Sequence, residues 1–339
     1  LREAFEALVA RHEILRTVYP ARNGEPVQRI QPDSTLDWTY RYVDDERIDE
    51  WIDEAVATPF ELAEETPLRV RLWEGADGPS LLLVVFHHIA IDEWTMGVML
   101  EELGELYAAN REGRAPQLEE PSLQYADYAI WQTQRLDGEA YEEGLDFWRR
   151  HLETARGGIE WPVDRTAAAE KSPAERVRFE WGETVSEAVR QCAETQATSR
   201  FLVLYAAFVG YLGRLTGHWD VTVGVPVTQR ERPELQGVLG FFLNTLPMRT
   251  RTGPEHSFEQ WLREVVAQWR EVIPHQWIPL DAIVDAVGAE RTGRRLPLFD
   301  AMFTFLPDQP TPSSFGDLDV EHIERVNAPE AKCGISVIA

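Results

Sequence analysis

Apolar and polar positions along the chain switch between a helical and an extended period. Between residues 1 and 18 the apolar side chains stand at 1, 5, 8, 9, 15 and 18, which predicts a helical stripe. Residues 24–30 read as a short strand, and 47–57 place Ile48, Trp51, Ile52 and Val56 on one face of a second helix. Residues 67–73 alternate as a strand, and the unbroken apolar run Leu81–Phe86 predicts a buried one. A helix is expected over 96–109, then a long helical stretch over 121–152 broken near Asp137-Gly138. Hydrophobic density falls over 155–174, where Gly157, Gly158, Pro162 and Pro173 suggest a linker. Beyond it the pattern predicts strands at 176–181, 221–225 and 298–305, helices at 185–196, 201–215 and 257–272, and a Pro- and Ser-rich loop over 306–316. Mixed strands and helices on both sides of one linker predict an α/β chain of two lobes, 1–160 and 176–339, joined by 161–175.

Composition narrows the partners. With 339 residues, 44% hydrophobic, the chain can bury a substantial core. A formal net charge of −25 argues against nucleic acid and against anionic membrane surfaces. Cys192 and Cys333 make no disulfide framework, no apolar run approaches a membrane span, and no secretory signal is visible. A cytoplasmic location is expected. The chain opens inside a helical pattern and closes inside a strand pattern, as an excerpt of a longer polypeptide would.

The buried run Leu81–Phe86 leads straight into His87 and His88, with Asp92 four residues beyond the second histidine. An apolar element ending in a histidine pair carries an imidazole to the edge of a core, where it can exchange a proton near neutrality. Successive strand side chains face opposite ways, so the two rings cannot serve one site. His88 is the candidate catalytic residue; His87, the other half of the candidate catalytic pair, is expected to pack inside. The remaining histidines (12, 151, 218, 256, 275 and 322) are scattered with no cysteine nearby, so no metal site is expected. No Ser or Cys nucleophile accompanies the pair.

Six segments, in order, carry a family resemblance. Arg11-His12-Glu13-Ile14-Leu15-Arg16-Thr17 resembles the RHExLRT motif of nonribosomal peptide synthetase condensation domains, and His87-His88-Ile89-Ala90-Ile91-Asp92 matches their HHxxxD motif. Tyr125 to Gln132 resembles YxDYAxWQ, Gly240 to Thr245 matches GxFxNT, His275 to Leu280 is a divergent HQDxPF, and Pro297 to Phe303 resembles NPLFxxMF. HHxxxD alone also marks other acyltransferases of the chloramphenicol-acetyltransferase type; the ordered set is more specific.

The resemblance implies two chloramphenicol-acetyltransferase-like lobes in a V-shaped pseudo-dimer with a central tunnel. Two carrier-protein phosphopantetheine arms would enter from opposite sides, and an acceptor amine would attack the donor thioester to form an amide. The implied partners are an upstream donor carrier protein, a downstream acceptor carrier protein and an adjacent adenylation domain, in the biosynthesis of peptide secondary metabolites such as antibiotics. No intrinsic cofactor is implied; the arms carry the substrates. In that scheme His88 would be the base or would orient the amine, and Asp92, the third candidate catalytic residue, is expected to support it remotely through a salt bridge that the resemblance places at Arg230. Trp94 is expected either to wall the tunnel or to pack in the core, and Asn244 either to bind a pantetheine or to hold its loop. Glu93 stands where most relatives have Gly, and either tunes acceptor recognition or obstructs one arm. Trp277 and Leu280 replace the aspartate and phenylalanine of HQDxPF. Other functions carried by the same fold are a noncatalytic platform recruiting a tailoring enzyme, an epimerase and a free-standing coenzyme A acyltransferase.

Overall fold

The computed structural model describes residues 1–32, 35–43, 47–75, 80–155, 158–159, 161–162, 175–289, 296–306, 314–316, 318–321 and 333–339. Along the first part run α1 (Arg2–Arg11), β1 (Thr17–Val18), β2 (Ala21–Arg22), β3 (Glu25–Pro26), β4 (Arg29–Ile30), β5 (Asp37–Val43), α2 (Ile48–Ala57), β6 (Leu68–Gly75) and β7 (Leu81–Phe86). Helices α3 (Glu93–Glu112), α4 (Tyr125–Arg135), α5 (Glu139–Leu152), α6 (Glu183–Thr195) and α7 (Arg200–Thr216) follow. The remainder holds β8 (Asp220–Thr228), β9 (Leu243–Arg251), α8 (Phe258–Val272), α9 (Leu280–Val287), β10 (Ala301–Thr304), β11 (Ser314–Phe315), β12 (Leu318–Asp319) and β13 (Ile335–Ile338).

The chain forms two compact units that interleave in sequence. The first takes Leu1–Gln134, Arg230–Phe242 and the described residues of 309–328; the second takes the described residues of Arg135–Gln229, Leu243–Asp308 and 329–339. The lobes expected at 1–160 and 176–339 are continuous stretches; α5 instead packs with the second unit, and Arg230–Phe242 with the first. Most of the linker expected at 161–175 lies outside the described residues.

In the first unit, β6 pairs with β5 in parallel and with β7 antiparallel, in the register Leu68↔Phe86 to Trp73↔Leu81. Leu68 and Val70 join Phe5, Leu8, Met99 and Leu103 in the core, with Leu82, Val84 and Phe86 packed against it. The strand therefore buries one alternate set of its side chains against α1 and α3. Helix α1 stops at Arg11, short of the stripe expected to reach residue 18, because His12 takes an extended conformation. The turn that follows is tied down: Thr17 Oγ1 donates to the Glu13 carbonyl at 2.7 Å and Arg16 Nη1 to that of Gln31 at 2.8 Å. His12, buried, lies 2.5 Å from Glu102 on α3, which Arg11 also contacts at 3.1 Å. Helix α3 begins at an Asp92 cap and ends at Gly113, whose φ of 67° lies where glycine alone is unstrained.

The second unit is built on the sheet β13-β10-β8-β9, parallel except for the antiparallel β8–β9 pair. Its core gathers Trp148, Tyr205, Phe208, Val223, Met248, Leu262, Phe299 and Phe303. Gly224 lies mid-strand in β8 because the Phe299 ring covers it; a Cβ there would come within 2.3 Å of that ring. Ser257 and Gln260 close a reciprocal cap at the start of α8. The strand expected at 176–181 forms no ladder among the described residues, and Val177, Phe179 and Trp181 are exposed.

Phe147 on α5 is stacked between two imidazoles, His275 at 4.0 Å and His151 at 5.3 Å. Burial, helped by the charges of Arg249 and Arg251, pushes His151 down to about 4. The folded chain then binds this proton less readily than the unfolded chain, whose histidine titrates near 6.5. The contribution is complete above pH ~6.5 and is lost as pH falls towards about 4, at no more than ~1.4 kcal/mol per pH unit. Replacing His151 by Phe keeps a flat ring and removes the proton. Urea midpoints of His151→Phe are expected to fall less between pH 6.5 and 4 than those of the parent; equal slopes would contradict the assignment.

Candidate active site

The site grows from the end of β7. Pairing with β6 carries the chain to His87, whose N–H donates to the Pro67 carbonyl at 3.0 Å. Its side chain turns back on the main chain: the Ile89 N–H donates to His87 Nδ1 at 3.1 Å. Phe60 meets this ring edge-on at 5.9 Å, under the Arg69 guanidinium. Burial and the neighbouring His88 both push His87 below its ordinary value, which favours the neutral ring that can accept this bond.

The chain then makes a tight turn over His88–Ala90 and a single extended step at Ile91. His88 is exposed. Its Nδ1 lies 2.7 Å from the Ile91 carbonyl. A carbonyl only accepts, so Nδ1 carries the hydrogen, and in the neutral ring Nε2 holds the lone pair. Phe241 meets the ring at 5.0 Å with an interplanar angle of 84°. The strand ends at Phe86, so the turn and not strand alternation separates the two rings: His87 is used by the main chain, and His88 is exposed.

Asp92 sits behind this turn with 4% of its surface exposed. Oδ1 accepts from the Thr95 N–H at 2.8 Å and from Arg230 Nη2 at 3.3 Å; Oδ2 accepts from the Phe242 N–H at 3.0 Å. These contacts take up both oxygens, and the carboxylate does not bond to His88. Arg230 also donates to the Leu235 and Val238 carbonyls and to Thr95 Oγ1, and its guanidinium lies 3.9 Å over the Phe242 ring. Thr95 in turn donates to the Gly240 carbonyl at 2.7 Å and accepts its N–H at 3.2 Å. Gly240 is bare because Tyr125 lies against it: a Cβ would come within 2.1 Å of that ring. The Tyr125 hydroxyl donates to the Phe241 carbonyl at 2.8 Å.

His87, His88, Asp92, Glu93, Trp94 and Arg230 all belong to the first unit. Glu93 is the first residue of α3 and half-buried. Trp94, 43% exposed, donates its indole N–H to the Gln236 carbonyl at 2.8 Å, so it is no core residue. Asn244 belongs to the second unit, on β9. Its amide nitrogen donates to the Gln276 and Ile278 carbonyls at 2.8 and 2.7 Å, and its oxygen accepts from the N–H groups of Thr245 and Leu280. These bonds tie β9 to the 276–280 stretch. Sequence reasoning does not single out Thr95, Gly240 or Phe241 as site residues. The GFFxNT spacing puts Gly240 and Phe241 in view, but no local pattern links them to Asp92.

Comparison with known proteins agrees with this architecture. A family model, described as the condensation domain, matches residues 1–333. Phosphinothricin tripeptide synthetase PhsC of Streptomyces viridochromogenes is 34% identical over 313 residues, 89% of this chain and 29% of that protein. Malpinin synthetase of Mortierella alpina is 31% identical over 313 residues, 90% of this chain and 4% of that protein. Across eight curated relatives the chain spans between 4% and 29% of their length. Two solved structures share the fold. One is the first condensation domain of the CDA synthetase (TM-score 0.81, 19% identical, 99% of this chain and 78% of that one). The other is a complex of the X-domain and OxyB from teicoplanin biosynthesis (TM-score 0.88, 24% identical, 99% of this chain and 74% of that one). Among the described residues, no helix is long and apolar enough to cross a membrane. The ordered motifs, the fold and a family match over nearly the whole length lead to one assignment: the chain belongs to the condensation-domain family found in nonribosomal peptide synthetases.

Proposed function

We propose that this domain forms an amide bond between a donor acyl or peptidyl thioester and an aminoacyl thioester, each tethered to a carrier protein by a phosphopantetheine arm. The observation that carries the reading is the state of His88: an exposed imidazole whose Nδ1 is occupied by the Ile91 carbonyl, leaving Nε2 as the basic atom. The acceptor amine attacks the thioester carbonyl, the C–N bond forms, the C–S bond breaks and the thiol of the donor arm leaves. His88 Nε2 receives the proton that the attacking nitrogen sheds, or holds the amine while it is shed, and the proton ends on the departing sulfur, which leaves as the thiol. Because one substrate is activated and the other nucleophilic, alignment supplies much of the acceleration, up to about 7–11 kcal/mol for well-held reactants. No intrinsic cofactor enters this scheme. The partners are the upstream donor carrier, the downstream acceptor carrier and an adjacent adenylation domain, and the reaction takes place in the cytoplasm.

Asp92 and Arg230 act as positioning residues in this scheme, with His87 bracing the turn. Glu93 and Trp94, five and six residues after His88, are placed with the substrate contacts, where Glu93 either tunes acceptor recognition or obstructs one arm. A second reading, a noncatalytic recruitment platform, draws support from the likeness in fold to an X-domain solved in complex with OxyB.

Incubation of the domain with separately loaded donor and acceptor carriers, followed by intact-mass measurement, tests the proposal. Transfer of the donor mass to the acceptor carrier is expected. Two unchanged carriers would refute amide formation and favour the platform. His88→Ala is expected to lower the transfer rate by roughly 10²–10⁴-fold; a variant keeping most of its rate would remove the base from the mechanism. Asp92→Ala strands a buried guanidinium and should cost about 3–5 kcal/mol in urea unfolding. Adding Arg230→Met to it is expected to cost less than the sum of the two single changes, as coupled groups do. Glu93→Gly separates two roles in the same assay: faster transfer means that Glu93 obstructs, and relaxed acceptor preference means that it recognises.

A further inference from the structure

The buried ion pair makes no contact with the reactive imidazole, yet the two are joined through one side chain. Four sets of hydrogen bonds converge on residues 238–242. Arg230 holds the Val238 carbonyl, Thr95 holds both main-chain groups of Gly240, Tyr125 holds the Phe241 carbonyl, and Asp92 holds the Phe242 N–H. Phe242 on one side is sealed under the Arg230 guanidinium with Tyr125 and Tyr128 against it. The preceding residue, Phe241, meets the His88 ring at 5.0 Å in a T-shaped arrangement. We infer that Phe241 is a positioning residue for His88, and that the Asp92–Arg230–Thr95–Tyr125 network acts on the reaction by fixing where that ring stands.

Magnitudes support the need for it. His88 is exposed and has one hydrogen bond, to Ile91. A single hydrogen bond in water favours one ring orientation by roughly fivefold. An edge-to-face partner multiplies that preference by about two- to tenfold, enough to make the productive orientation dominant.

The inference rests on the amide-forming reading for its kinetic arm only; a second arm reads the imidazole directly. Three variants serve: Phe241→Leu removes the aromatic edge, Phe241→Tyr keeps it, and Tyr125→Phe keeps the ring beside Gly240 but releases the Phe241 carbonyl. In the carrier assay, Phe241→Leu is expected to lower kcat about two- to tenfold with KM for the loaded acceptor carrier unchanged. Phe241→Tyr should retain the parent rate, and Tyr125→Phe should fall between. In the second arm the 339-residue chain is labelled with 15N-histidine, and the His88 ring nitrogens among its eight histidines are assigned with His88→Gln. The parent should show a protonated Nδ1 and an unprotonated Nε2, and Phe241→Leu should move both towards an average. Unchanged His88 nitrogens in Phe241→Leu would overturn the inference whether or not the parent makes amide. A loss confined to KM would also overturn it, making Phe241 a substrate contact instead. A parent that forms no amide while its His88 signals still shift with Phe241→Leu would refute the proposed reaction and leave the positioning role standing.

Discussion

A carboxylate and a guanidinium sealed from water organise the first unit. Asp92 and Arg230 are each no more than 4% exposed and 138 residues apart in sequence. Removing both charges from solvent is costly, and their mutual attraction offsets that cost only when every remaining donor and acceptor is occupied. Here the occupants include main-chain groups, the Thr95 and Phe242 N–H groups on one side and the Leu235 and Val238 carbonyls on the other, together with the Thr95 hydroxyl, which accepts from the guanidinium. The pair therefore does more than attract. It locks the first turn of α3 to the segment 235–242, and the end of β7 inherits its geometry from that lock.

The two adjacent imidazoles show how one sequence motif can hold two different jobs. His87 accepts a hydrogen bond from the turn it initiates, and burial favours its neutral form. His88 donates to a carbonyl three residues on and keeps its other nitrogen free. A carbonyl in the same turn selects the tautomer of the reactive ring, while the ring itself is met by Phe241 from a distant stretch of chain. The choice of nitrogen is local; how fully that choice is kept depends on tertiary packing.

This division explains which features are legible in the sequence. The apolar run Leu81–Phe86 and the His-His-Asp spacing are local, and both appear where the pattern puts them. Helix α3 is legible but longer than its apolar stripe, because its start depends on the Asp92 cap rather than on the first apolar residue. Strand β5, with Trp38, Tyr40 and Tyr42 alternating, is absent from the expected elements although its aromatics favour extended chain. Strand β9 is likewise absent from the expected elements; its pairing with β8 makes it a strand. The interleaving of the two units is not legible, since nothing local assigns Arg230–Phe242 to the first unit. That assignment follows from contacts such as Asp92 to Phe242, 150 residues apart.

Asn244 grips only main-chain atoms of its neighbours: two carbonyls and an N–H between Gln276 and Leu280, besides the N–H of the next residue. Such an anchor is blind to side-chain identity. The stretch it holds can exchange an aspartate for Trp277 and a phenylalanine for Leu280 without loosening, and Trp277 has acquired a stacking partner in the Arg135 guanidinium. Drift in that stretch is therefore to be weighed against the constancy of a single amide on the strand beside it.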